Sequence, residues 1–303
     1  MLTPIFGKVQ NYDWGKVDSG TVYNIYQTTA TGTSSNQKYA EYWMGTHING
    51  CSTLPDKSLL SSIVNLPFLF KILSVNKALS IQAHPDKALA ERLHKSNPTN
   101  YKDDNHKPEM CICITEEFEA LSGFCTEQQF KSNIKQVPEI AEIIGSGSFQ
   151  HQFANLMNST TEQIRMQIEK LAARNQHSSL IDLILTLNTA YPNDVGVFCP
   201  IFMNYVKLNK YEALFMAANE PHAYLKGDCV ECMANSDNVV RAGLTPKFRD
   251  VENLIKMLTY KRYQISDLLI KPVQVNDSTW KYEAPVPEFD VYKIVLEQNE
   301  HGI

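Results

Sequence analysis

No stretch of this chain approaches the roughly 18 consecutive apolar residues that a membrane-spanning helix requires, and its first residues, MLTPIFGKVQ, lack the apolar core of a secretory signal. There is no basic run and no Lys/Arg-rich helical face. With 28 Lys and Arg against 33 Asp and Glu the formal net charge is -5, so neither nucleic acid nor a membrane is an expected partner. The 7 cysteines are an odd number scattered over 303 residues, which does not read as a disulfide framework; reduced thiols in the cytosol are expected. Internal repeats and low-complexity segments are also missing. What is present is 43% hydrophobic and 20% charged residues, enough for a sizeable core, over a length that suggests two domains or one domain with a large insertion. Any anionic ligand would need a local cluster of cations, because the overall charge has the wrong sign to attract it.

Residues 1 to about 125 read mainly as strands: TVYNIY, LPFLFKILSV and ALSIQAH are short runs rich in apolar, β-branched and aromatic residues between polar or Gly/Pro-containing stretches. ALAERLHK is a short helix in this reading. From 126 to 191 the period changes. Ser159 and Glu162 fit a capping box, Ile164, Ile168 and Leu171 then form an apolar helical stripe, and SLIDLILTLNTA is a second helix. These residues form an inserted helical subdomain. Strands resume over 192–275, in VGVFCPIFMNYVKL, EALFMAA, HAYLK and CVECM, with a helix at VENLIKMLTY. The segment 276–303 ends in an apolar strand, VYKIVLEQ, which is expected to lack a partner. The strands on either side of the insertion are too few to close alone, so they belong to one mainly β sandwich or barrel.

Four clusters carry chemistry. In Ser80-Ile81-Gln82-Ala83-His84, strand alternation turns Ser80, Gln82 and His84 to one face, placing an amide oxygen beside an imidazole, both able to ligate a metal. A strand with one solvated face would show the same alternation. In His106-Lys107-Pro108-Glu109, Pro108 favours extended backbone, which puts Lys107 and Glu109 on a shared face. In the run from Asn219 to Asp228, His222, Tyr224 and Lys226 share a face, and Gly227-Asp228 signals a hairpin turn from which Cys229 to Met233 return antiparallel. Glu231, Asp237, Arg241 and Lys247 then supply carboxylates and cations close by, the types that serve as a base beside a carbonyl and as charges for a phosphate or an oxyanion. Cys229 and Cys232 form a C-x-x-C without a second such pair, and within a strand their sulfurs face opposite ways. Cys111 and Cys113 read as small buried hydrophobes.

Together, VQNYDWG, EYWMGTH, LPFLFKILSVNKALSIQAHPDK, NHKPEM, EALSGF, YPNDVGVF and NEPHAYLKGDCVECMANSDNVVRAGLTPKFRDV resemble type I phosphomannose isomerases, over residues 9 to about 251 and in the family's order. The resemblance implies a cupin-type β-barrel or jelly roll with an inserted helical subdomain. It implies one zinc ion per chain, held by Gln82, His84, Glu109 and His222, and interconversion of mannose 6-phosphate and fructose 6-phosphate through an enediol. It further implies service to GDP-mannose synthesis and mannose metabolism. Carried over in the same way, Arg241, Lys107, Glu231, Asp237 and His106 are the candidate catalytic residues, and Ser80, Tyr224 and Lys247 hold the substrate. A monomer is expected. The family usually continues into a second cupin-like domain, which is largely absent here. Two other readings fit the same residues: a sugar-phosphate-binding cupin that has lost catalysis, and an iron oxygenase using His84, His222 and Glu109. Gln82 as a fourth donor and the cation cluster argue against the second.

Overall fold

A computed structural model describes residues 3–29 and 36–296 of the chain. Its centre is one long strand, His222–Ala234, that belongs to two sheets at once. From Gly227 to Ala234 it runs antiparallel between Phe68–Val75 and Glu109–Cys113. From His222 to Lys226 it pairs instead with Glu117–Cys125 and, at His222, with Gln82 of Ile81–Ala83. The first sheet is completed by Lys8–Gln10 and Glu41–Gly45 on one side and by Ala213–Met216 and Leu269–Ile270 on the other. The second gains Val240–Gly243, Met203–Asn209 and Arg262–Tyr263. The mainly β fold expected from the sequence is therefore present, as two layers sharing a strand. The twelve described strands do not close into a barrel, because the outermost strands of the first sheet, Lys8–Gln10 and Leu269–Ile270, each pair on one side only.

The bend that lets one strand serve two sheets corrects the hairpin expected at Gly227-Asp228. The chain does not reverse there. A register shift between Tyr224 and Lys226 and a positive φ of 110° at Gly227 turn the strand while it remains extended. The shift also breaks the expected face of His222, Tyr224 and Lys226: the first two are buried and Lys226 is exposed. A Cβ at Gly227 would stand 2.7 Å from the Glu117 carbonyl oxygen and 2.9 Å from Phe118 Cα, both backbone atoms. Gly227→Ala is therefore expected to cost about 2 kcal/mol or more, from strain and overlap together, read as a lower urea midpoint at unchanged slope.

Other local expectations shift for physical reasons. TVYNIY lies in a helix, Gly20–Thr29, whose Val22, Ile25 and Tyr26 sit at helical spacing in an apolar cluster with Tyr39 and Tyr42. Tertiary packing outweighs the strand preference of its β-branched and aromatic residues. VGVFCPI forms a 3-10 helix, Val195–Ile201, capped by Asp194, before the strand Met203–Asn209. The capping box lies one residue later than expected, with Thr160 and Gln163 exchanging bonds ahead of Thr161–Ala173. Ile164, Ile168 and Leu171 are buried as the stripe required. The helices Glu127–Gln136, Ala141–Ile144, Phe149–Met157, Thr161–Ala173 and Ser179–Ala190 follow the first strands directly, and one apolar cluster runs from Phe153, Ile164 and Ile184 into Leu121 and Phe124 of the second sheet. The strand Val291–Ile294 is not unpaired: it pairs with Thr279–Tyr282, and Tyr282, Phe289 and Val291 cover Met110, Ile112 and Cys232 on the outer face of the first sheet. The last two residues of VYKIVLEQ lie outside the described part of the chain. Cys229 and Cys232 fall in different clusters, as strand alternation requires, and Cys111 and Cys113 are buried. Among the described residues no helix is long and apolar enough to cross a membrane.

Candidate active site

The space between the two layers changes character along the strands. Leu73, Val75, Cys111, Cys113, Tyr224 and Cys229 fill it with an apolar cluster at one end. Further along the same inward faces come Lys71, Glu109, Glu231 and Met233, which line a cavity of about 530 Å³. The opposite wall is supplied by the second layer, with Ser80 and Gln82 on one strand and Arg241 on its antiparallel neighbour, directly opposite Gln82. Polar residues at alternate positions of otherwise apolar strands thus meet because antiparallel register brings them level.

At one end of the cavity the two histidines and a carboxylate converge. His84, Glu109 and His222 are 0, 1 and 2% exposed, and each offers a donor atom within 4.8 Å of the others. Glu109 Oε2 lies 3.4 Å from His84 Nε2 and 3.2 Å from His222 Nε2. These three buried atoms have no hydrogen-bond partner, a costly state unless something else satisfies them. The other ring nitrogens are committed. His84 Nδ1 donates to the Asn238 carbonyl at 2.6 Å and His222 Nδ1 donates to the Glu220 carbonyl at 3.1 Å. A carbonyl can only accept, so each Nδ1 carries a proton, and a neutral ring then presents its Nε2 lone pair. Asn238 is itself fixed, its amide donating to the carbonyls of Asp103 and Asn105. Burial pushes His84 down to about 4, which keeps it neutral at pH 7. Burial opposes charge on Glu109 too, but Lys107, 3.1 Å away, and the neighbouring imidazoles outweigh it and hold the carboxyl well below its usual range. A neutral His84 and an ionised Glu109 are the protonation states a divalent cation needs. Gln82 is the strand partner of His222 and lines the same cavity, so its amide oxygen is available as a fourth donor. The residues present fit a single metal ion. Nitrogen and oxygen donors of this kind suit zinc, and also manganese, iron or cobalt.

Beside this centre lies a charged network that the sequence patterns did not reveal. Lys71 sits directly opposite Glu231 and pairs with it at 2.8 Å, with Glu41 3.8 Å away on the other side. Glu41 in turn accepts from the Trp43 indole. The only local sign was a lysine inside the apolar run FLFKILSV, on the face that alternation sends inward. Tyr12, Trp14, Lys77 and Tyr191 also line the cavity and were not singled out.

Of the residues expected from the sequence, Ser80, Gln82, Lys107, Glu109, Tyr224, Glu231, Asp237, Arg241 and Lys247 share this cavity. His84 and His222 stand at its base beside Glu109. His106 does not join them. Its ring nitrogen is 2.5 Å from Glu288 of the C-terminal segment, because Pro108 and strand alternation turn Lys107 inward and its neighbour outward. Asp237 accepts from Asn49 at 2.7 Å and faces His47 at 3.4 Å, so both carboxylate oxygens are engaged, and His47 lowers its pKa against the effect of burial. Glu231 has one oxygen on Lys71 and the other without a partner among the described residues.

Comparison with known proteins agrees with this geometry. Residues 2–127 match the type I phosphomannose isomerase catalytic domain, and residues 121–203 match the helical insertion domain of the same family. The chain is 42% identical over 332 residues to mannose-6-phosphate isomerase 1 of Arabidopsis thaliana, covering 93% of this chain and 76% of that protein. It is 37% identical over 351 residues to the mannose-6-phosphate isomerase of Saccharomyces cerevisiae, covering 95% and 82%. Among solved structures, a zinc-bound mannose 6-phosphate isomerase superimposes with a TM-score of 0.82 at 31% identity, covering 94% of this chain and 81% of that one. The apo enzyme of Salmonella typhimurium gives the same values.

Proposed function

Because the chain belongs to the type I phosphomannose isomerase family, we propose that it interconverts mannose 6-phosphate and fructose 6-phosphate with one zinc ion held by Gln82, His84, Glu109 and His222. The observation that carries this reading is the convergence of unpartnered His84 Nε2, Glu109 Oε2 and His222 Nε2 beside a cavity whose wall holds uncompensated cations.

When bound there, the ion supplies Lewis-acid stabilisation of negative charge on a sugar oxygen. The remaining work falls to side chains. A proton must leave C2 of the open-chain aldose and return to C1, with an enediol between. Glu231 is our choice for the base, since one of its oxygens is free while both oxygens of Asp237 are engaged. Lys71 keeps Glu231 in place, opposite it in the register. Arg241, half-buried and level with Gln82, is positioned to offset the enediolate charge, and Lys107 adds a second cation beside Glu109. Tyr224 closes the wall between the layers, its buried hydroxyl without a partner. Ser80 and Lys247 bind the phosphate. With this activity the chain serves GDP-mannose synthesis and mannose metabolism from the cytosol.

The direct test is to assay the purified protein with mannose 6-phosphate and to measure its metal content by mass spectrometry. Steady conversion to fructose 6-phosphate at near-stoichiometric zinc is expected. A fully loaded protein that binds the sugar phosphate without turning it over would establish a binding cupin instead.

A further inference from the structure

The cavity wall contains five carboxylates, Asp13, Glu41, Glu109, Glu231 and Asp237, and each has a donor of its own. Asp13 pairs with Lys38, Glu41 accepts from Trp43, Glu109 pairs with Lys107, Glu231 with Lys71, and Asp237 accepts from Asn49. Three cations in the same wall, Lys77, Arg241 and Lys247, have no ion-pair partner among the described residues. The positive excess is therefore local.

Its position follows from register. In the pair Ile81–Ala83 and Val240–Gly243, Ala83 faces Val240, Gln82 faces Arg241 and Ile81 faces Gly243. Residues before Ile81 and residues after Gly243 therefore leave the pair at the same end, opposite to the end that leads to His84. Lys77 and Ser80 lie in the first loop and Lys247 in the second. Ser80 stands nearest the pair, its hydroxyl donating to the Gln82 amide oxygen at 3.4 Å, and Lys77, three residues before it, and Lys247, four residues after Gly243, lie further along their loops.

One turn braces both loops. The Tyr191 hydroxyl donates to the Ala78 carbonyl at 2.6 Å, and the Lys77 ammonium sits 4.1 Å from the centre of the Tyr191 ring. Three residues on, the Asp194 carboxylate accepts from the backbone N–H groups of Gly196, Leu244 and Thr245 at 2.7, 2.6 and 3.3 Å. From the far side, the Trp14 carbonyl accepts from the N–H groups of Asn76 and Lys77. A lysine side chain ordinarily spreads over many rotamers; here the aromatic face restricts it while leaving its three N–H donors and its full charge for a ligand.

We propose that Lys77, held on the ring of Tyr191, binds the phosphate of the substrate together with Ser80 and Lys247, and that Tyr191 is a positioning residue for it. This rests on the functional reading above and adds to it the group that separates a phosphorylated hexose from the free sugar.

Lys77→Met removes the charge and keeps most of the stem. It is expected to raise KM for mannose 6-phosphate about tenfold or more, the usual scale for losing a charge-assisted contact, and to weaken competitive inhibition by inorganic phosphate in proportion. Lys77→Arg recovers most of this loss. Tyr191→Leu, which removes the ring but not the ammonium, reproduces part of the rise in KM. If the parent protein isomerises the substrate and Lys77→Met leaves both KM and phosphate inhibition unchanged, the proposal is overturned. If the parent turns over no mannose 6-phosphate, the functional reading fails on its own, and calorimetric titration with inorganic phosphate still decides: weaker binding in Lys77→Met upholds the site and equal binding removes it.

Discussion

Glu109→Gln is expected to leave a protein that no longer retains its metal and turns over at least roughly a thousandfold more slowly. The size follows from the several kcal/mol of charge stabilisation that a divalent ion supplies, at about 1.4 kcal/mol per decade of rate. The substitution is nearly isosteric, so it tests charge and donor chemistry rather than packing. Glu109 is the one anion among the converging atoms, standing 3.4 Å from His84 Nε2 and 3.2 Å from His222 Nε2. It is also the partner of buried Lys107 at 3.1 Å. Removing its charge leaves that ammonium uncompensated, which is expected to cost about 3 kcal/mol of stability. Metal content and turnover should therefore fall together, with a lower unfolding midpoint. Chelation of the parent protein separates the two effects: activity disappears and returns on adding zinc. Full turnover in demonstrably metal-free protein would remove the proposed chemistry.

Arg241→Ala should behave in the opposite way, keeping its metal while losing about two to three orders of magnitude in turnover, the range seen when one preorganised charge-stabilising donor is deleted. Arg241 is not one of the converging donors and has no ion-pair partner among the described residues, so no acidic group is orphaned by its removal. Burial disfavours its charge and lowers its pKa somewhat, yet a guanidinium remains protonated at pH 7. A charged arginine without a partner, half-buried in a cavity wall, is a standing cost to the fold unless a ligand answers it. Metal content should match the parent, and the melting temperature without ligand should not fall. Arg241→Lys should recover part of the rate, since the charge returns but the planar fork does not. Near-normal turnover in the alanine variant would show that the enediolate is stabilised by other groups.

How much of this could be read along the chain differed by kind of residue. Gln82 with His84, and Lys107 with Glu109, were legible because two residues apart on a strand means one face, a rule that needs no tertiary information. His106 came from the resemblance rather than from this rule: adjacent to Lys107, it faces the other way and meets Glu288. Lys71 and Lys77 escaped notice because each is a single cation in an apolar or loop segment, and their importance lies in what stands opposite. Glu231 faces Lys71 only through the pairing of strands far apart in sequence, and Tyr191 reaches Lys77 only from the end of the helical segment. The hairpin expected at Gly227-Asp228 failed because a glycine with positive φ serves a turn or a bend equally well; the neighbours on each side of the strand selected the bend.

By itself the sequence determined the chemical inventory: which donors, carboxylates and cations exist, and which of them share a strand face, because alternation is a local property of extended backbone. Only the tertiary structure decided that the donors from separate strands meet at one point, that Arg241 stands level with Gln82, and that Lys77 and Lys247 lie in loops leaving the same end of that strand pair. Those outcomes depend on register between distant strands and on one strand bending at Gly227 to join two layers, and both are set by the packing of the whole chain rather than by any short segment of it.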